Sequence, residues 1–165
     1  MSRLVVYDFD GTIFRSPCRF RGEKLYRKRT GNFLPFAGWW GRIESLSFPV
    51  VPLLPDMGWY NGEVVSSQRN DKLDISSDVV LMTGRPVEMS GRIRQLCEHG
   101  GMVFDDYFFC DGYAGKCLAI RGLLQGGYDI LELWEDRCDH IDLFNIFGDS
   151  LVRSGVVSSF VVHGV

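Results

Sequence analysis

Near the start of the chain, Leu4-Val5-Val6-Tyr7 runs straight into Asp8-Phe9-Asp10-Gly11-Thr12. A short apolar run closed by a turn signal reads as a buried strand. Alternate strand residues point the same way, so Asp8 and Asp10 project together from the strand end. Gly11 permits a sharp turn and a close backbone approach. Neighbouring carboxylates repel one another unless a proton or a cation is shared between them. A hard divalent ion with oxygen ligands, Mg²⁺, answers that need. A hairpin turned at Asp10-Gly11, with Asp8 a solvated strand residue, accounts for the same residues.

A chain of 165 residues is the size of one domain and can bury a real core. With 45% hydrophobic and 24% charged residues it is neither disordered nor fibrous. The net charge of −3 is unevenly spread: Arg15, Arg19, Arg21, Lys24, Arg27, Lys28 and Arg29 face only Glu23 within residues 15–29. Five scattered cysteines, an odd number without a Cys-x-x-Cys pair, argue against a disulfide framework and a structural zinc site. No charged-then-apolar leader and no run of membrane-spanning length is visible, so a reduced, cytoplasmic protein with no membrane partner is expected.

Residues 15–78 form an insert that carries most of the prolines and tryptophans. Phe20, Tyr26 and Phe33 stand among its cations, and Trp39-Trp40 and a Pro-punctuated run follow. That pattern predicts a lid or cap packed over the strand ends, not one long helix. Gln68-Arg69-Asn70-Asp71-Lys72 reads as an exposed polar connection back to the core. From Asp78 the pattern becomes strand, helix, strand, helix. Val79-Val80-Leu81-Met82 is a strand ending in Thr83-Gly84-Arg85-Pro86, followed by an amphipathic helix with Val87, Ile93 and Leu96 on its apolar side. Met102-Val103-Phe104 and Tyr107-Phe108-Phe109 supply the next strand material. Lys116 opens a helix, Ile130 to Trp134 is a strand ending in Glu135-Asp136-Arg137, a helix bears His140 to Phe147, and Val156 to Val162 closes the chain. The alternation implies a mainly parallel sheet covered on both faces, with ligands beyond the carboxyl ends of the strands. Asp8, Asp10, Thr83 and Asp136 all fall there.

Asp8-Phe9-Asp10-Gly11-Thr12 after an apolar strand resembles the first motif of the haloacid dehalogenase (HAD) superfamily, most of whose members are phosphatases. Thr83-Gly84, Lys116 and Glu135-Asp136 stand in the order of that family's later motifs. Gly148-Asp149-Ser150 resembles another form of the last one, but its flanking residues space their apolar groups like a helix and no acid follows it. Gly38-Trp39-Trp40, Ser45-Leu46, Trp59-Tyr60-Asn61, Leu81 to Arg85 and Glu135-Asp136-Arg137 with His140-Ile141 are similar to the Swiss Army Knife RNA repair-like branch. The loop Cys110 to Gly115 departs from it, lacking the Lys-Pro that the branch usually shows.

The resemblance implies a single three-layer, Rossmann-like HAD domain over residues 1–165, with 15–78 as a cap-like insert. It implies a Mg²⁺-dependent phosphatase acting on phosphorylated RNA or DNA ends or on nucleotides. Asp8 would be the nucleophile and Asp10 the acid and base, with Thr83 and Lys116 holding the phosphoryl group. Gly84 would contact the phosphate, and Arg85, Arg137 and His140 would either contact substrate or form ordinary structural salt bridges. Asp8, the backbone carbonyl of Asp10 and Asp136 would hold the metal, with Glu135 behind them. The competing reading is a nucleic-acid-binding module that has lost catalysis and uses the basic, aromatic insert. A phosphotransferase or dehalogenase of the same fold is a third; Asp10 favours phosphoryl chemistry over dehalogenation.

Overall fold

Successive residues of the first strand feed opposite sides of a sheet, and this organises the two cores. The computed structural model describes residues 1–165. Strand β1 (Arg3–Tyr7) sends Val5 and Tyr7 to one face and Leu4 and Val6 to the other, all buried. On the first face they meet Val79 and Leu81 of β2 (Ser77–Thr83), Val64 and Val65 of α2 (Gly62–Leu73), and Ile93, Leu96 and Cys97 of α3 (Ser90–His99). On the other they meet Leu131 and Leu133 of β4 (Ile130–Glu135), Ile120 and Leu124 of α4 (Gly112–Leu124), and Phe144, Phe147 and Leu151 of α5 (Cys138–Arg153).

With β3 (Asp106–Phe109) and β5 (Ser159–Gly164), the five strands are all parallel, in the order β3-β2-β1-β4-β5. This is a three-layer, Rossmann-like α/β fold. The chain leaves β1 toward β2 on one side and returns to β4 on the other, so the crevice between the ends of β1 and β4 is a topological switch point.

The segment between β1 and β2 holds α1 (Arg19–Thr30), two 3₁₀ turns (Ile43–Leu46 and Met57–Trp59) and α2. Some of its aromatic residues stack on one another, Phe9 on Phe14, Phe14 on Trp59, and Phe36 on Trp39, while Phe20, Phe33, Trp40 and Phe48 are exposed. The expected polar connection at Gln68–Lys72 is instead the second half of α2. Gln68 is fully buried and donates to the Val103 carbonyl at 2.6 Å, and Arg69 donates to the carbonyls of Gly100 and Gly101. These long polar side chains serve as ties to the α3–β3 connection, which a composition-based reading takes for solvent exposure. α2 therefore belongs to the core layer over β2.

Two smaller expectations also change. Met102 and Phe104 are buried in the approach to β3 without joining the ladder, and Val103 between them points to solvent. Val87 sits in a 3₁₀ turn (Val87–Met89) and is exposed, so the apolar face of α3 begins with Met89 and Ile93. No helix is long and apolar enough to cross a membrane.

Candidate functional site

At the switch point the two central strands are joined one residue past β1: Asp8 N–H donates to the Trp134 carbonyl at 3.1 Å. That bond carries Asp8 to the level of Glu135 and Asp136 at the end of β4. Carboxylate oxygens of Asp8, Glu135 and Asp136 all lie within 4.8 Å of one another. The Lys116 ammonium bridges two of them, donating to Asp8 Oδ1 at 2.9 Å and Glu135 Oε2 at 3.2 Å. Lys116 lies in the second turn of α4, not at its start, because Gly112, with φ +64°, opens the helix after Asp111.

Three carboxyls share one ammonium here. Burial pushes the Asp8 carboxyl up to about 8, with Lys116 acting against it and Glu135 adding to it. Burial, reinforced by Glu135, pushes Asp136 up to about 6. Burial also opposes the charge on Glu135, but Lys116 and the Arg137 backbone N–H outweigh it and hold that carboxyl below its ordinary range. Lys116 is raised: burial disfavours its charge, and Asp8 and Glu135 more than restore it.

Gly11 makes this packing possible. Its φ is +74°, and a Cβ there would stand 2.1 Å from Asp136 Oδ2. Thr12 Oγ1 donates to Asp136 Oδ1 at 3.4 Å. His140 Nδ1 is buried, lies 3.5 Å from Glu135 Oε2, and has no hydrogen-bond partner.

Asp10 is outside the cluster of three. Both of its oxygens accept from Arg85, Oδ1 from Nη2 at 2.6 Å and Oδ2 from Nε at 2.8 Å. Of the two expectations for Arg85, substrate contact and a structural salt bridge, the structure shows the salt bridge. Its remaining nitrogen, Nη1, donates to the Trp40 carbonyl and to Ser45 Oγ, and its guanidinium stacks on the Trp40 ring. The Asp10 side chain thus stands apart from the three carboxylates, and the ligand expected of this residue is its backbone carbonyl.

A cleft of about 550 Å³ opens over this centre, walled by Asp8, Asp10, Arg85, Lys116, Asp136 and Arg137. Gly84 also lines it, whereas Thr83 is fully buried below, its Oγ1 accepting from the Arg85 N–H at 3.2 Å. Arg137 is exposed and paired with Asp139. Asp149 lies within α5, where a Cβ on neighbouring Gly148 would stand 1.9 Å from Phe160, so that stretch is a helix packed on β5.

The cleft also includes Ser16, Trp40, Gly112 and His140. Sequence reasoning missed Ser16 and Gly112. The Ser16 hydroxyl is buried without a partner, and Gly112 presents the amino end of α4, where free N–H groups favour anions. An Asp-Gly pair opening an apolar-periodic run was the signal available for Gly112.

No protein-family model matches this sequence, and no curated protein does. Two solved structures align with 99% of the chain at 16% identity. One is a chain of the Pnkp1/Rnl/Hen1 complex, with a TM-score of 0.58 and 46% of that chain covered. The other is a chain of the Pnkp1/Rnl/Hen1 RNA repair complex, with a TM-score of 0.51 and 43% covered. The present chain spans less than half the length of either. At this identity the likeness is one of fold, and the α/β fold seen here is one also used within an RNA repair complex.

Proposed function

We propose that the protein is a HAD-type phosphohydrolase that cleaves phosphate monoesters through an aspartyl-phosphate on Asp8, with phosphorylated nucleic-acid ends or nucleotides as its substrates. The observation that carries this reading is the Lys116 bridge between Asp8 and Glu135 beside Asp136, at the mouth of the sheet's switch point.

The donor set fits Mg²⁺. Three carboxyls offer hard oxygen ligands, one ammonium cannot balance them, and Gly11 leaves the room that Asp136 needs. Asp8, Asp136 and, behind them, Glu135 would hold the ion. When bound, it neutralises charge on the phosphoryl oxygens.

The chain's own groups divide the remaining work. Lys116 fixes Asp8 Oδ1, which leaves the other oxygen to attack phosphorus. A bond forms between that oxygen and phosphorus, and the ester oxygen leaves with its electron pair. Asp10 protonates the leaving oxygen, then takes a proton from the water that attacks the phosphorus of the acyl phosphate and regenerates Asp8. Gly84 and Gly112, at the start of α4, line the cleft, where backbone N–H groups not already paired would suit the non-reacting oxygens. Thr83 supports the first of these loops from below.

The fold's use in an RNA repair complex supports nucleic-acid ends as the substrate class. The bidentate hold of Arg85 on Asp10 favours the second reading, a nucleic-acid-binding module without turnover, because the acid–base group is already engaged. Hydrolysis of an aryl phosphate and of terminally phosphorylated oligonucleotides with Mg²⁺ separates the two. Wild-type turnover with none in a folded Asp8→Asn protein is the expected result. Metal-dependent turnover retained in Asp8→Asn overturns the mechanism.

A further inference from the structure

We propose that the exposed face of α1 is a binding track for the backbone of single-stranded polynucleotide, placed so that the strand's phosphorylated end enters the cleft. The fate of that end rests on the phosphohydrolase reading above; the binding face does not.

Phe20, Arg21, Lys24, Arg27 and Lys28 recur at helical spacing and share one side of α1, opposite Gly22. All five are exposed, and Gly22 is the helix's only buried residue. Arg19 is paired with Glu23, and Arg29 donates to the Pro49 carbonyl. Arg21, Lys24, Arg27 and Lys28 have no carboxylate partner. Like charges three and four residues apart destabilise a helix on their own. No carboxylate offsets them along this face, whereas Arg3, Arg69, Arg85 and Arg92 are all bound into the structure.

Aromatic rings accompany these cations. The Lys24 ammonium lies over the Phe20 ring at 4.3 Å and the Arg27 guanidinium over Phe33 at 4.6 Å, with the two rings 65% and 76% exposed. Flat exposed rings beside unpaired cations suit stacked bases and their phosphates. A helix that lies in a membrane interface needs an apolar face to bury, and α1 has none to spare.

The helix is fixed at the rim of the cleft. Gly22 lies so close to Trp39 that a Cβ would meet the ring at 2.0 Å, and Trp39 Nε1 donates to the Pro17 carbonyl at 2.7 Å. The next residue, Trp40, lines the cleft with its ring 48% exposed, as does Ser16, just before α1. On the proposed track, a strand bound along α1 passes Trp40, one residue beyond the Trp39 that holds the helix, to reach the carboxylate centre.

The test compares wild type with Lys24→Glu/Arg27→Glu, using a fluorescent single-stranded oligonucleotide with a terminal phosphate, the corresponding duplex, phosphatidylserine vesicles and an aryl phosphate. Wild type should bind the single strand more tightly than duplex or vesicles. Affinity should fall with salt at a log–log slope of about −2 if three cations contact phosphates. The double variant should lose about tenfold or more in oligonucleotide affinity and flatten that slope, with aryl phosphate turnover unchanged. A milder variant, Phe20→Ala/Phe33→Ala, should weaken oligonucleotide binding without changing the slope.

Undiminished binding in both variants overturns the proposal. So does a wild-type preference for vesicles or duplex, or equal loss on oligonucleotide and aryl phosphate. Salt-dependent oligonucleotide binding with no turnover of any ester supports the track and rejects the hydrolase reading.

Discussion

Arg85 grips Asp10 with two parallel hydrogen bonds, Nη2 to Oδ1 at 2.6 Å and Nε to Oδ2 at 2.8 Å. The arginine is buried and the carboxylate is partly exposed to the cleft, so the pair aims Asp10 from below. Planar, bidentate geometry fixes both distance and orientation, which a lysine cannot reproduce. Arg85→Lys should therefore fold, bind substrate nearly normally and lose turnover, read as a fall in kcat with little change in KM. Arg85→Ala should also cost about 3–5 kcal/mol of stability, the usual consequence of stripping one partner from a buried pair. Urea denaturation measures the second effect, and an unchanged kcat in Arg85→Lys would remove Arg85 from the positioning of Asp10.

Gly11→Ala addresses the packing of Asp136. The substitution meets both a left-handed backbone and a side chain 2.1 Å from the new methyl. A loss of more than about 1 kcal/mol is expected from backbone strain alone. Displacement of Asp136 should in addition abolish stabilisation by Mg²⁺. In wild type, that stabilisation reaches about 2.7 kcal/mol at a hundred times the dissociation constant. Asp136→Asn should abolish it too, and Asp149→Asn should not. Thermal melts with and without Mg²⁺ decide each case, and a full metal response in Asp136→Asn refutes the assignment.

Lys116 is the one cation among three acids, so Lys116→Met leaves their repulsion unrelieved. In metal-free protein the expected cost is about 3–5 kcal/mol. Excess Mg²⁺ should recover part of it, because the ion takes over charge balance. Melting temperatures that neither fall on substitution nor respond to Mg²⁺ would count against this electrostatic account.

A second polar cluster contributes to stability against acid. Arg3 donates to Glu132 Oε1 at 3.0 Å, and His163 Nε2 lies 3.0 Å from Oε2. Burial works against the charge on Glu132, but hydrogen bonds from His163 and Arg3 outweigh it and lower its pKa from 4.5. A depressed carboxylate stabilises the fold fully above its unfolded pKa and loses that contribution as pH falls through the folded one. Stability should decline below about pH 4.5, the ordinary glutamate value. Glu132→Gln should lower the neutral plateau and flatten the acid limb. Identical acid limbs in wild type and variant would locate the sensitivity elsewhere.

Much of this was legible from local pattern. The first strand, Asp8, the Val79–Met82 strand and the Ile130–Trp134 strand with its terminal acids announce themselves because apolar runs end abruptly in polar residues. The helical reading of Ile141 to Phe147 likewise put Asp149 inside α5. What escaped depends on partners distant in sequence. Arg85 reads equally well as a substrate contact and as a structural ion pair until Asp10, Ser45 and the Trp40 carbonyl claim its donors. Gln68 looks solvated until the Val103 carbonyl appears beside it. The start of α4 was hidden because Gly112 and Gly115 lower local helix propensity, and tertiary packing of Ile120 and Leu124 overrides that deficit.

The placement of β1 also governs how the molecule is made. Arg3 pairs with Ser77 on one side and Ile130 on the other. The central strand therefore emerges before both of its partners and waits for β4 before its second edge is covered. Until β4 arrives, its Leu4 and Val6 side lacks Leu131 and Leu133, and Asp8 has neither Glu135 nor the partner that fixes its backbone. Non-local parallel pairings of this kind close slowly and leave apolar edges open in the interval. The carboxylate centre is therefore a late product of folding, and a nascent or truncated chain ending before β4 can carry the whole basic helix while lacking Glu135 and Asp136.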